Sequence, residues 1–504
     1  MHDLNVPTLD RDSDRQFDAA PAGAERTLDP AAPQDWRALR ELGHQMVDDM
    51  FGYLEHVRER PVWQRIPDAS KTHFATPIPR EPQGAEAAYD EFKQHILPYP
   101  LGNIHPRFWS WVCGTGSAGG MLAEMLSAAM NSNVHGGDHA AVYVEQQVLG
   151  WLKDAIGYPT DATGILVTGG TMANFVGLLV ARNAKADWDI KAEGATQGTR
   201  PLIVYASREA HSSIVKSMEA LGLGSNNLRT IPTDDKFRIK LDVLRAAIAL
   251  DRDLGYLPIC VVGNAGTVNT GAIDDLDALA TLCHTEGLWF HVDGAFGAAA
   301  AISPTLRPLL RGLERADSLA FDLHKWMFMP YDVGCVLIRW PGQHHRAFDY
   351  AAPYLDPHGR GVTAGPIQFS RYGLDLSRGF RALKVWFSLK EHGLSTYQAL
   401  VEQHVAHAHY LASLVRATPD LELLAPVALN IVCFRFRGGL DDETTLNAVN
   451  KEIVLRMQEA GIAAPSSTII DGKFAIRVAH TNHRSTCSDF ALLVREVVRI
   501  GTEM

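Results

Sequence analysis

Between about residues 160 and 340, short apolar runs alternate with amphipathic stretches. "GILVTGG" reads as a strand closing on a turn, and "TMANFVGLLVARN" after it carries helical spacing. "PLIVYAS" and "PICVVGN" are strands, the first leading into helical "HSSIVKSMEAL". "DDLDALATLCHTEG" is a helix that ends in glycine. Three more apolar strands follow, "LWFHVD", "SLAFD" and "VGCVLIR". Strands separated by helices predict an α/β fold, with a mostly parallel central sheet and helices on both faces. Such sheets bind ligands beyond the carboxyl ends of their strands, so the polar residues just after each run carry the functional question.

The flanks differ in texture. Residues 1–34, rich in Ala, Pro and Asp without periodicity, are expected to form a mobile tail. Residues 35–110 read as an N-terminal helical and extended arm. "DWRALRELGHQMVDDMFGYLEH" sets Leu39, Leu42, Met46 and Met50 on one helical face, and proline-containing segments follow. That face packs either on another subunit or on the chain's own domain. Residues 111–392 form the large domain. Past Gly393 a long helical stretch leads into "ALNIVCFRFRG", "LNAVNKEIVLRMQEAG" and "KFAIRVAH". Residues 393–504 are therefore expected to be a smaller C-terminal α+β domain with an antiparallel sheet.

Composition removes several classes of function. The 504 residues carry a formal net charge of -11 and no long run of Lys and Arg, which argues against a nucleic-acid partner. The N-terminus is acidic and lacks the apolar core of a signal peptide. No apolar run reaches the roughly 18 residues of a membrane span. The six cysteines are scattered without a CxxC pair, which argues against a disulfide framework or a metal site and fits a reducing cytoplasm.

Four features after strands carry chemistry. "TGGTMAN" opens a helix with Gly169, Gly170 and Thr171, either a plain tight turn or a seat for a phosphate. "FHVDGAFG" ends a strand with Asp293, either a helix cap or a partner for a protonated ring nitrogen. "DLHKW" sets Lys325 among apolar and aromatic neighbours, where an amine is costly unless its chemistry requires it. "REAHSSIVKS" puts His211 at a strand-to-helix turn, as a cap or as a group stacked on a ring. Together these are the parts of a pyridoxal 5'-phosphate (PLP) site, in which a lysine amine forms a Schiff base with the cofactor aldehyde.

The order and context of "HPRFWSW", "TGGTMAN", "REAHSSIVKS", "FHVDGAFG", "DLHKW" and "SRGFRALKVWF" resemble the group II PLP-dependent decarboxylases, over roughly residues 35–500. The aromatic-L-amino-acid decarboxylases are the best-known members. The resemblance implies a fold type I homodimer with its active site at the subunit interface and an L-amino acid as substrate. It assigns the Schiff base to Lys325, the pyridine nitrogen to Asp293 and ring stacking to His211. Gly170 and Thr171 match phosphate-contacting positions, Ala295 the small residue under the ring, and Asp322 and His324 residues lining the cofactor near the lysine. Thr267, in "NAGTVNTG", lies in a segment that usually touches the cofactor.

The chain also departs from the family pattern. "HGGDHAAVYVE" leads to Glu145 with His135 where a tryptophan is expected, in a segment that shapes the substrate pocket. Phe108, Trp109 and Trp111 are either an aromatic wall of that pocket or ordinary core. A gap-free count puts Phe369 where the aromatic decarboxylases carry a proton-donating tyrosine, with Tyr372 three residues on. A phenyl ring donates no proton, and in related plant enzymes phenylalanine there accompanies oxidative decarboxylation-deamination to an aldehyde. The expected activity is decarboxylation of an L-amino acid, aromatic by resemblance, to its amine. The alternatives are an aldehyde synthase and another fold type I lyase or transaminase.

Overall fold

The structure is a computed structural model that describes residues 27–350 and 358–504. Most of the expected N-terminal tail therefore lies outside the described residues. The chain divides into two units, one holding the residues up to Glu55 with Ala75–Pro98, the other His56–Phe74 with Tyr99–Met504.

In the first unit, helix Pro33–Glu55 is the one the periodicity predicts. On its apolar face, Leu42 is buried, Met46 and Met50 are half-buried and Leu39 is exposed. The Tyr89 hydroxyl, on helix Ala85–Glu91, donates to Asp49 at 2.6 Å.

The second unit contains two sheets. Its strands are β1 (Phe108–Trp109), β2 (Thr163–Val167), β3 (Leu202–Ser207), β4 (Leu228–Ile231), β5 (Leu257–Asn264), β6 (Trp289–Asp293), β7 (Ser318–Asp322) and β8 (Gly334–Ile338), followed by β9 (Leu421–Leu423), β10 (Ile431–Phe436), β11 (Ala464–Ile470) and β12 (Lys473–Ala479). The seven-stranded sheet runs β2-β8-β7-β6-β5-β3-β4. It is parallel except at β8, which is antiparallel to both neighbours. Strands β6, β7 and β8 are buried along their whole length, which is why their sequences are apolar runs and not alternations. Helix Gly170–Lys185 packs across β5 to β8.

The five-stranded sheet runs β1-β11-β12-β10-β9. Strands β9 to β12 are antiparallel, while β1 joins β11 in parallel, Phe108 opposite Ala464. The periodicity did not anticipate β1, because two residues give no pattern. Its Trp109 is buried, stacks on Phe490 at 5.1 Å and donates its indole hydrogen to Ser485 at 3.2 Å. Helical backbone from Ala382 to Ala417 is broken at Gly393, whose φ of 71° suits glycine. Among the described residues no helix is long and apolar enough to cross a membrane, and no group of His, Cys, Asp and Glu is placed to hold a metal.

Candidate active site

Strands β3, β5, β6 and β7 of the large sheet are parallel, so the loops after them open at one edge. Asp293 is the last residue of β6 and is buried. Its Oδ2 accepts from Asn174 Nδ2 at 2.9 Å and its Oδ1 from the Ala295 backbone N–H at 3.1 Å. These two donors offset the cost of burying the carboxylate and leave it lone pairs for one more partner. His211 caps helix Ser212–Ala220, its Nδ1 accepting from the Ser213 backbone N–H at 3.1 Å. Cap and chemistry are thus compatible, since Nε2 is left free. Partial burial of the ring pushes the His211 pKa down, and the nearby Asp293 charge opposes that shift.

Lys325 lies in the helical turn Leu323–Trp326 after β7. Its neighbours Leu323, Trp326, Met327 and Phe328 are buried, but Lys325 itself is only half-buried and lines a cavity. Nζ stands 2.8 Å from Asp322 Oδ2, so the amine is paired with an acid. Asp322 Oδ1 is buried and has no hydrogen-bond partner. His324 accepts the Val333 backbone N–H at Nδ1, 3.1 Å, and its ring lies 4.4 Å from that of Tyr331. Burial pushes the His324 pKa down.

Helix Gly170–Lys185 begins directly after the turn that follows β2, and its first turn meets the same edge. A Cβ on Gly170 would stand 2.8 Å from Asp322 Oδ2 and 3.2 Å from Ala295 Cβ. A Cβ on Gly169 would stand 3.1 Å from His324 Cε1. The glycines are what let the helix N-terminus approach Asp322, Ala295 and His324 this closely. Thr267 is buried and its hydroxyl braces its own loop, accepting from the Ala272 backbone N–H at 3.1 Å.

A cavity of about 370 Å³ opens between the loops after these strands, within the usual range of roughly 300 to 1,000 Å³ for small-molecule sites. Lys325, Asp293, His211 and Ala295 line it, with Trp111 and, from the smaller sheet, Ser466, Ser467 and Arg477. Trp111 is exposed and holds a left-handed φ of 53°. The other candidates for the substrate pocket lie elsewhere. Phe108 and Trp109 are buried in β1. Phe369 is fully buried, with the Arg378 guanidinium 4.9 Å over its ring. The His135 carbonyl accepts from the Ser370 backbone N–H, and Tyr372 packs its ring edge-to-face on His344 at 5.0 Å.

Two site residues escaped sequence reasoning. Arg477 is 3% exposed and lines the cavity. Its donors go to the carbonyls of Asn269, Trp111 and Val268 and to Ser466 Oγ, and no carboxylate pairs with it among the described residues. A lone arginine inside the apolar strand "KFAIRVA" was the available signal. Asn174 stood inside a quoted motif without a role.

The residues fit a phosphorylated pyridine aldehyde. There is an amine for the aldehyde, a carboxylate with spare lone pairs for the ring nitrogen, and a helix N-terminus nearby for the phosphate. Residues 67–437 match the Pyridoxal-dependent decarboxylase conserved domain. The chain belongs to that family. The decarboxylase is 33% identical over 470 residues to an aromatic-L-amino-acid decarboxylase of Bacillus atrophaeus, covering 92% of this chain and 96% of that one. It is 28% identical over 461 residues to a phenylacetaldehyde synthase of Arabidopsis thaliana, covering 89% and 92%. The crystal structure of Oryza sativa TDC with PLP and tryptamine superposes with a TM-score of 0.86 at 25% identity, covering 95% of this chain and all of that one. This is a PLP-dependent amino-acid decarboxylase of fold type I.

Proposed function

We propose that this decarboxylase converts an aromatic L-amino acid to its amine and carbon dioxide, and that it works as a homodimer. The observation that carries the substrate class is Arg477, a buried guanidinium lining the cavity without an acid partner. Four of its five N–H donors are engaged, so its net charge and one N–H remain for an α-carboxylate. Lys325, the other cation of the lining, is already paired. A second carboxylate on the substrate would find no further cation among the described residues that line the cavity, whereas a flat apolar side chain meets Trp111 and Phe296. The likeness to the Bacillus atrophaeus enzyme supports the same reading.

The remaining roles follow from position. Lys325 is the amine that would hold the cofactor aldehyde, and Asp322, 2.8 Å away, orients that amine. Asp293 would hold a proton on the ring nitrogen. Gly170 and Thr171, at a helix N-terminus, would seat the phosphate, with His324 beside Gly169. Ala295 leaves room under the ring, and Thr267 keeps the loop of Gly266 and Val268 against it. When bound, PLP supplies a ring that accepts the electrons released as the carboxylate departs. His211, with Nδ1 occupied by the Ser213 N–H, presents a proton on Nε2 that can be returned to the substrate's Cα. Exposed Met125, Leu126 and Met130 on helix Ala118–Met130, and exposed Trp36, Leu39 and Phe51 on helix Pro33–Glu55, support subunit pairing.

The test uses PLP-loaded enzyme under air, its mass measured by light scattering, with L-tryptophan, L-tyrosine, L-phenylalanine, L-dopa and L-glutamate in turn. Carbon dioxide, amine and hydrogen peroxide are quantified together, with Lys325→Ala as the blank. Carbon dioxide matched by amine from an aromatic substrate alone is the expected result. Turnover confined to glutamate sinks the aromatic reading. Peroxide matching carbon dioxide, with little amine, makes the enzyme an aldehyde synthase, the activity named for the Arabidopsis relative.

A further inference from the structure

Beneath Asp293 runs a chain of buried polar side chains. Trp289 Nε1 lies 2.8 Å from Ser318 Oγ, and Ser318 Oγ lies 2.7 Å from His291 Nδ1. His291 Nε2 lies 2.9 Å from Asn174 Oδ1. Asn174 Nδ2 reaches both Asp293 Oδ2, at 2.9 Å, and Ser213 Oγ, at 3.0 Å. Ser213 Oγ is 2.9 Å from His211 Nδ1. Trp289, Ser318, His291, Asn174, Ser213 and Asp293 are all buried.

The two ends of the chain fix its direction. An indole N–H only donates, and an ionised carboxylate only accepts. Asp293 therefore demands the amide nitrogen of Asn174, which turns the amide oxygen toward His291. That oxygen needs a donor, so His291 carries its hydrogen on Nε2. Burial keeps His291 neutral, its pKa pushed down to about 4, so Nδ1 must accept from the Ser318 hydroxyl. Ser318 in turn accepts from Trp289. Every donor in the series then has an acceptor. On the other branch, Ser213 accepts from Asn174 and gives its hydrogen to His211 Nδ1.

We propose that Asn174, oriented by His291, is the positioning residue that aims the Asp293 carboxylate at the cofactor's ring nitrogen. This rests on the reading that Asp293 meets that nitrogen. Reversing the Asn174 amide would press its oxygen against the carboxylate, and the fixed donor of His291 prevents that reversal. The sequence run "FHVD" thus places the acid and its remote orienter two residues apart, on one face of β6.

The experiment measures PLP binding to the apo-protein by quenching of tryptophan fluorescence, and the visible circular dichroism of the bound cofactor. The latter reports how the ring is held. Asn174→Ala and His291→Phe are each expected to weaken PLP binding about tenfold, the worth of one hydrogen bond to a charged group. Both should diminish the dichroic band and lower kcat with the amino-acid KM little changed. His291→Gln, whose amide can donate from near the Nε2 position, should restore binding and band, while the shorter His291→Asn should not. Asp293→Asn is run beside them. If Asp293→Asn loses binding and Asn174→Ala keeps the wild-type affinity and band, the positioning role is overturned and the reading of Asp293 stands. If Asp293→Asn itself binds as wild type, the underlying reading falls, and this inference with it. Should the Ala or Phe variant not fold, the Gln and Asn variants decide, and equal affinity in those two overturns the proposal.

Discussion

Arg477 holds the cavity's unpaired positive charge by borrowing three backbone carbonyls from two loops and a serine from its own sheet. Carbonyl dipoles solvate the guanidinium without neutralising it, so the charge stays available to an anion that enters. Replacing it with an unbranched apolar side chain should therefore affect substrate far more than cofactor. Arg477→Met is expected to lower kcat/KM about a hundredfold, the upper range for one charge-assisted contact, while PLP binding by fluorescence quenching is retained. Equal losses of substrate turnover and PLP affinity would mean that Arg477 only holds the fold together. A second buried arginine behaves differently. Arg378 pairs with Glu145, which is fully buried, and covers Phe369. Its charge is spent on structure, and that is why Phe369 lies under it and not in the cavity.

The elements divide by how local their causes are. Helix Gly170–Lys185 and strands β3, β5, β6 and β7 were legible because each carries its own local signal, a helical period or a short apolar run, and the residues after them were legible because parallel sheets put sites there. Lys325, Asp293 and His211 do share one cavity. What the sequence concealed depends on distant partners. Strand β1 exists only because β11 lies beside it, more than 350 positions later in the chain. Arg477 reaches the cavity only because the smaller sheet closes it, and the role of Asn174 appears only when His291 and Asp293 flank it. The amine of Lys325 was expected among apolar side chains, yet an i,i-3 acid in the same turn meets it. At the scale of one helix start, Gly170→Ala is a specific test. The added Cβ would come within 2.8 Å of Asp322 Oδ2 and displace the acid that orients Lys325. PLP affinity should fall about tenfold or more, as when a charged contact is lost, with the thermal unfolding midpoint of the apo-protein nearly unchanged. Wild-type affinity would show that the Asp322 pairing with Lys325 does not govern cofactor binding.

For the whole molecule, buried neutral histidines set the response to acid. Burial pushes the pKa values of His291, His344 and His483 down to about 4, against about 6.5 for an unfolded histidine. Between those values the unfolded chain takes up protons that the folded chain refuses. Stability is therefore complete above about pH 6.5 and is lost as the pH falls toward 4, by up to about 1.4 kcal/mol per pH unit for each such histidine. Urea unfolding followed by circular dichroism should show midpoints that fall steeply through that window and change little from pH 7 to 8. A flat profile from pH 6.5 to 4 would mean that these rings are hydrated. The pairing of β1 with β11 has a temporal consequence as well. A cavity walled by residues that follow β1 and by residues of β11 and β12 requires both ends of that long loop to have met. Pairings so remote in sequence form slowly, because the entropy of closing the loop is lost before any contact offsets it. On a ribosome, the amine of Lys325 and the acid of Asp293 emerge well before the strand that encloses them, so competence for the cofactor belongs to the finished chain and not to any growing part of it.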